Sequence, residues 1–220
     1  MTCNNEIDLI HPVNKRISIA IICGGASRRM GCNKAELPFA GTTLIEHIIA
    51  KCERLTDDLF LVRNRGSTVS SARGKTVIHD QFPHAGPLVS IASALKHSRY
   101  DRVLALACDT PLVCADTMKL LSLTMDAADI AAVKTGNTIE PLCAIYSKTC
   151  LARLEVSIQC RQLSPKCFLE TYRGKIQLID AKHILGLPET FNVNTPADYD
   201  LLLRSAENSR SAEAESPFDT

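Results

Sequence analysis

No apolar run in this chain approaches the roughly 18 residues that a bilayer span requires. The polar, acidic start Met1-Thr-Cys-Asn-Asn-Glu-Ile-Asp8 has none of the basic-then-apolar order of a signal peptide. A cytoplasmic location is therefore expected, with no membrane partner. Charge of one sign is also missing: 25 Lys and Arg balance 24 Asp and Glu to a net +1, so no overall field marks a nucleic-acid binder. Cysteine is plentiful, at ten residues, but C-x-x-C is absent. Cys108 and Cys114 are six apart, and Cys143 and Cys150, like Cys160 and Cys167, are seven apart. These spacings do not suit a zinc site, and Cys23, Cys108 and Cys143 lie in apolar stretches. Reduced, buried thiols are expected rather than disulfides. The dinucleotide fingerprint G-x-G-x-x-G is missing, which disfavours a nicotinamide-dependent oxidoreductase. There is neither a linker nor an internal repeat, and 220 residues suit one domain with a real core.

What is present begins with Ile19-Ala-Ile-Ile-Cys-Gly-Gly-Ala-Ser-Arg-Arg-Met-Gly-Cys-Asn-Lys34. A β-branched run ends in Gly24-Gly25, and Arg28, Arg29, Gly31 and Lys34 follow. Backbone N–H groups of a glycine-rich turn can point at phosphate oxygens, and the cations neutralise the charge. This is not a Walker loop: five residues separate Gly25 from Gly31, and Cys32 follows where Lys and Ser or Thr would be needed. The competing interpretation is a tight strand-to-helix turn whose arginines are merely solvated.

Strand and helix patterns alternate along the chain. Strands are expected at 17–23, 59–62, 76–78, 103–108, 130–133, 142–146 and 176–179. Helices are expected after the capping box Thr43-Leu-Ile-Glu46, over 87–97 with Pro87 in its first turn, from Asp116 as cap to Leu123, from Pro165, and from Thr195-Pro-Ala-Asp198 to Leu203. This predicts a single α/β domain over 16–204, Rossmann-like, with a mostly parallel sheet covered by helices on both faces. Residues 1–15 and 205–220 are expected to be disordered.

Ligands collect at the carboxyl ends of strands in such sheets. Three polar positions fall there: the glycine-rich loop after Ile22, Asp80 after the strand at 76–78, and Asp109 after the strand at 103–108. Asp109 is placed to hold Mg²⁺, which is satisfied by one or two carboxylates plus substrate oxygens. The alternative is a turn residue ahead of Pro111. Asp80 suits a nucleoside hydroxyl or an ordinary loop.

Cys23 to Lys34, Pro38-Phe-Ala-Gly41, Asp80 through Gly86-Pro-Leu88, Cys108-Asp-Thr-Pro111 and Asn192-Val-Asn-Thr-Pro196 together resemble the successive motifs of the MobA-type molybdenum cofactor guanylyltransferases. The likeness runs over about residues 17–203. It implies a nucleotidyltransferase that moves GMP from GTP to Mo-molybdopterin and releases pyrophosphate. By that resemblance Ile22, Cys23, Gly24 and Gly25 would line the nucleotide pocket. Arg29 and Lys34 would hold the triphosphate, Asp80 would contact the nucleotide, and Asp109 would bind the Mg²⁺ cofactor. Asn192 and Asn194 would face the pterin. Catalysis would rest on Arg29, Lys34 and Asp109. Transient contact with other molybdenum cofactor biosynthesis proteins or molybdoenzyme acceptors is also implied. The chain departs from the family pattern at Asn33, where Asp is usual, and at Cys23, where Ala is common. A cytidylyltransferase of the same cofactor, or a related small-molecule nucleotidyltransferase, is the nearest alternative. A non-catalytic nucleotide-binding module is a further one. The second glycine of Gly24-Gly25 leaves room for a purine edge and favours guanine.

Overall fold

The computed structural model describes residues 16–23, 33–63, 73–80, 86–214. The first strand, β1 (Ser18–Ile22), is buried along its whole length. After it come the two-residue strands β2 (Pro38–Phe39) and β3 (Thr42–Thr43), which pair around Ala40-Gly41. Next are α1 (Leu44–Cys52), β4 (Leu59–Arg63), β5 (Thr76–His79), α2 (Pro87–His97) and β6 (Arg102–Ala107). The remainder is α3 (Ala115–Thr124), β7 (Ile130–Thr135), β8 (Thr138–Ser147), α4 (Leu151–Gln159), α5 (Pro165–Thr171), β9 (Ile176–Asp180), the short ribbon β10 (His183–Ile184) and β11 (Leu187–Pro188), and α6 (Pro196–Ala214).

Seven strands form one sheet in the order β5-β4-β1-β6-β8-β7-β9. β5, β4, β1 and β6 run parallel to their neighbours, as do β7 and β9. β8 alone is reversed, antiparallel to β6 and β7. The expected mostly parallel sheet is therefore present, with one inverted strand. The hairpin turn Gly136-Asn137 that inverts it is a two-residue turn signal that strand patterning by itself overlooked.

Alternate residues of each strand feed opposite cores, as the period of two requires. Ile19, Ile21, Leu61 and Leu104 pack against α1 and α3, whereas Ala20, Ile22, Phe60 and Val62 pack against α2 and α5. A third cluster joins Phe39, Leu44 and Leu112 to Val193 and Leu202, and so seats α6 on the loops at the carboxyl end of the sheet. No described helix is long and apolar enough to cross a membrane.

Three expectations need correction. Asp116 is not the cap of α3: Cys114 is, and Asp116 lies in the first turn. α4 had no counterpart in the predicted elements. The last helix continues to Ala214 instead of ending at Leu203, so helix covers part of the 205–220 stretch expected to be disordered. Ser205 and Ala206 are still half-buried there, which is why the helix does not stop at the predicted end.

Candidate active site

The chain departs from β1 outward to β4 and β5 and only then returns to β6 on the other side. The crevice at the carboxyl ends of β1 and β6 is thus the switch point of the sheet. Cys108 N–H donates to the Ile22 carbonyl at 3.2 Å, which holds the two strand ends side by side. Asp109 follows immediately and is only 8% exposed.

Lys34 reaches this point from a short 3-10 turn, Lys34–Glu36. The side chain of Asn33 caps the turn by accepting from Ala35 N–H at 3.3 Å, and Ala35 anchors it in the core. Asn33 therefore serves as a helix-turn cap, a task Asp performs equally well. The Lys34 ammonium contacts the Asp109 carboxylate and donates to Asn194 Oδ1 at 3.0 Å. Two hard oxygen donors, one a carboxylate and one an amide, thus converge on a single cation.

The turn bearing Asp109 is held from several sides. Thr110 Oγ1 donates to the Ala107 carbonyl at 3.0 Å, and Lys51 Nζ donates to the carbonyls of Pro111 and Val113 at 2.7 and 3.1 Å. Burial lowers the Lys51 pKa, opposed by the nearby Cys114, Cys52 and Glu189. Val193 N–H donates to the Asp109 carbonyl at 2.9 Å, locking the Asn192-Val-Asn194 segment onto it. Val193 is fully buried, so its two neighbours serve different places. Asn194 meets Lys34, while Asn192 donates to the Thr190 carbonyl at 3.0 Å and lines a cavity of about 220 Å³.

Of the other positions singled out in the sequence, Ile22 ends β1 and Cys23 follows it at this crevice, and Asp80 lies farther out along the sheet. Ile22 is a core residue against α2, and among its atoms the backbone carbonyl is already engaged by Cys108. The Cys23 thiol donates to the Ile21 carbonyl at 3.7 Å, and the neighbouring Cys108 thiol together with burial raises its pKa well above the usual thiol range. Asp80 is fully buried at the end of β5, three strands from β6. It accepts from Ser90 Oγ at 2.8 Å, while its Oδ1 is buried without a hydrogen-bond partner among the described residues. Burial raises its pKa against the opposing bonds from Ser90 and Ser93. Gly24, Gly25 and Arg29 fall outside the described residues.

Several residues of the site were not found from the sequence. Arg63, on β4 beside Asp80, is 6% exposed, and its Nε and Nη2 have no hydrogen-bond partner among the described residues. Glu189 is fully buried and accepts from Cys114 N–H, Thr117 Oγ1 and Lys182 N–H at 3.3, 3.0 and 2.9 Å. Neither carries a local motif. A signal did exist at Glu140-Pro141, where a proline interrupts an apolar strand pattern.

Similarity to known proteins extends over most of the chain. The MobA-like NTP transferase domain matches residues 19–175. A probable molybdenum cofactor guanylyltransferase of Carboxydothermus hydrogenoformans is 32% identical over 198 residues, covering 86% of this chain and 96% of its own. The molybdenum cofactor guanylyltransferase of Pseudomonas syringae is 31% identical over 199 residues, covering 88% and 94%. The crystal structure of molybdopterin-guanine dinucleotide biosynthesis protein A from Archaeoglobus fulgidus superposes with a TM-score of 0.69 at 25% identity, covering 88% of this chain and 99% of that one.

Proposed function

The chain belongs to the MobA-like NTP transferase family, and from that premise we propose that it is the guanylyltransferase that moves GMP from GTP to the terminal phosphate of Mo-molybdopterin. In this reaction an acceptor phosphate oxygen attacks the α-phosphorus, the bond from that phosphorus to the β-phosphate bridge oxygen breaks, and pyrophosphate leaves. The single observation that supports this site best is the convergence of Lys34, Asp109 and Asn194 at the switch point of the sheet.

The nucleophile is already an anion, so no general base is needed. The difficulty is to bring two anions together, and phosphoryl-type transfers are catalysed chiefly by positioning and charge neutralisation. Lys34 is held at its base by a capped turn and carries its charge on a long stem. It can exchange Asp109 for a phosphate oxygen without moving its backbone. Arg29 would share the charge building on the α-phosphate and the leaving pyrophosphate. The donor set fits a magnesium ion: Asp109 and Asn194 offer only hard oxygens, and Mg²⁺ accepts one or two such ligands with substrate oxygens completing its shell. Bound there, Mg²⁺ would neutralise charge on the α-phosphate. Asn194 holds the Lys34 ammonium in line with that carboxylate, and Asp80 would take a nucleoside hydroxyl.

Pyrophosphate release with molybdopterin, Mg²⁺ and each of GTP, CTP, ATP and UTP tests the reaction, with GTP expected to be the only efficient donor. Asp109→Asn is expected to lower turnover by about 10²- to 10³-fold. Nucleotide affinity, read from ligand-induced thermal shifts, should change far less. Near-normal turnover in that variant would remove Asp109 from the mechanism.

A further inference from the structure

The strand that inverts the sheet is also irregular. Along β7 and β8, Val133 pairs with Glu140 but the preceding Ala132 pairs with Ala144, so Pro141, Leu142 and Cys143 form a bulge with no residue opposite on β7, although Cys143 still pairs with Leu106 of β6. A bulge re-aims side chains and interrupts a ladder, and proline is tolerated there because no donor is required. The fold invests in this one. The fully buried Tyr146 donates its hydroxyl to the Pro141 carbonyl at 2.9 Å, which satisfies a group the ladder has released.

The bulged strand forms one wall of the 220 Å³ cavity, contributing Glu140 through Cys143. The polar groups facing it from other elements are Thr110, Ser164, Lys166, Thr190 and Asn192. Thr110 directly follows Asp109, and Asn192 is two residues from Asn194, so the cavity adjoins the cation site. Its volume is below the roughly 300 Å³ lower end for drug-sized ligands, which suits one small planar ring system. Glu140 is half-buried here, and no hydrogen bond among the described residues takes up its carboxylate. Burial raises its pKa, and Lys166 opposes that shift.

We infer that Glu140 is the specificity-determining residue for the acceptor, its carboxylate accepting the adjacent ring N–H and amino group of a 2-amino-4-oxopyrimidine edge in this cavity. The inference rests on the proposed guanylyl transfer and adds to it the residue that selects the acceptor ring. A pterin presents that edge, and so does guanine. Position separates them: Glu140 lies on β8, beyond β6, whereas the glycine-rich loop follows β1 and Asp80 ends β5 on the opposite side of the switch point. The ring read by Glu140 is therefore the acceptor's pterin, with guanine left to the β1–β5 side. The two N–H donors of that edge match the two acceptor oxygens of a carboxylate and mismatch a carboxamide, which presents one donor of its own.

The test is binding of free pterin, followed by its intrinsic fluorescence, with GTP affinity measured in parallel. Wild type should bind pterin and reject 3-methylpterin, which lacks the ring N–H, and saturating GTP should not displace the pterin. Glu140→Gln should weaken pterin binding about ten- to a hundredfold, raise the acceptor KM by a similar factor with kcat little changed, and leave GTP affinity within twofold. Equal binding of pterin and 3-methylpterin by the wild type overturns the inference without any variant. So does a Glu140→Gln protein that binds pterin normally, or one that loses GTP instead. Wild-type release of pyrophosphate from GTP and molybdopterin alongside any of these results leaves the transfer reaction standing, whereas no release from any nucleotide rejects that reaction itself.

Discussion

The Lys34–Asp109 contact shows how one residue's surroundings decide its use. An exposed Lys–Asp pair contributes little to stability, because water screens it. This pair is mostly buried, and its carboxylate oxygen is the one a metal ion would need. Such a contact serves placement more than stability: it holds the long Lys34 side chain at the carboxyl end of β6, where the proposed reaction would bring the phosphates. His47 shows the same dependence on setting. It lies in α1 with its ring edge-on to Phe39, centroids 5.0 Å apart, and burial, aided by the charge of Lys51, pushes its pKa down to about 4. The folded state thus favours neutral imidazole. The stability this supplies is complete above the unfolded value near 6.5 and is lost as the pH falls from there toward 4. Urea midpoints measured from pH 7.5 to 4.5 should therefore fall more steeply in the wild type than in His47→Gln, whose side chain stays neutral throughout. Parallel declines would exclude His47 as the source.

At the scale of elements, two helices begin with the same device for different ends. Thr43 and Glu46 form a reciprocal capping box on α1: Glu46 N–H donates to Thr43 Oγ1 at 3.3 Å, and Thr43 N–H donates to the Glu46 carboxylate at 3.0 Å. Thr195 and Asp198 repeat the arrangement on α6. Asp198 N–H donates to Thr195 Oγ1 at 3.2 Å, and the Asp198 carboxylate accepts from Thr195 N–H at 2.8 Å and from Asn194 N–H at 3.0 Å. The second box therefore anchors the backbone of a residue that contacts Lys34. Removing either cap, by Thr43→Ala or Asp198→Ala, should cost about 1 kcal/mol in chemical denaturation. Turnover should drop only for Asp198→Ala, because only there does a site residue lose its anchor. Equal turnover in both variants would mean that α6 does not position Asn194. The first box, the helix start at Thr195-Pro-Ala-Asp198, and the strands at 59–62 and 103–108 were legible in the sequence because caps, an early proline and buried apolar runs are local signals. The α4 helix was not: its apolar residues Leu151, Leu154 and Ile158 keep helical spacing, but its start carries no capping signal, the N-cap Cys150 making no side-chain hydrogen bond to the helix. The bulge in β8 was visible only as a misplaced proline.

Across the whole molecule, the site is divided between the parallel half-sheet, which supplies Asp109, and the C-terminal segment, which supplies Asn192 and Asn194. Glu189 joins the two, fully buried between Cys114 and Thr117 on one side and Lys182 on the other. A buried carboxylate satisfied by several donors is costly to remove, since each donor then loses its partner in a dry setting. Glu189→Ala is expected to lower unfolding free energy by about 3 kcal/mol and turnover as well, while Glu189→Gln, which keeps one acceptor oxygen, should lose less of both. Unchanged stability in Glu189→Ala would show that the halves are held by the Phe39–Leu112–Val193 cluster alone. The order of the seven sheet strands along the chain and the candidacy of Lys34 and Asp109 were determined by the sequence by itself, because periodicity and glycine-rich turns act over a few neighbouring residues, whereas Asn194 was singled out by the family resemblance. Only the tertiary structure decided that Asn192 and Asn194 part ways around a buried valine, that Glu140 enters a cavity, and that Glu189 joins the halves. Those outcomes depend on register and packing between segments distant in the chain, and no local pattern encodes them.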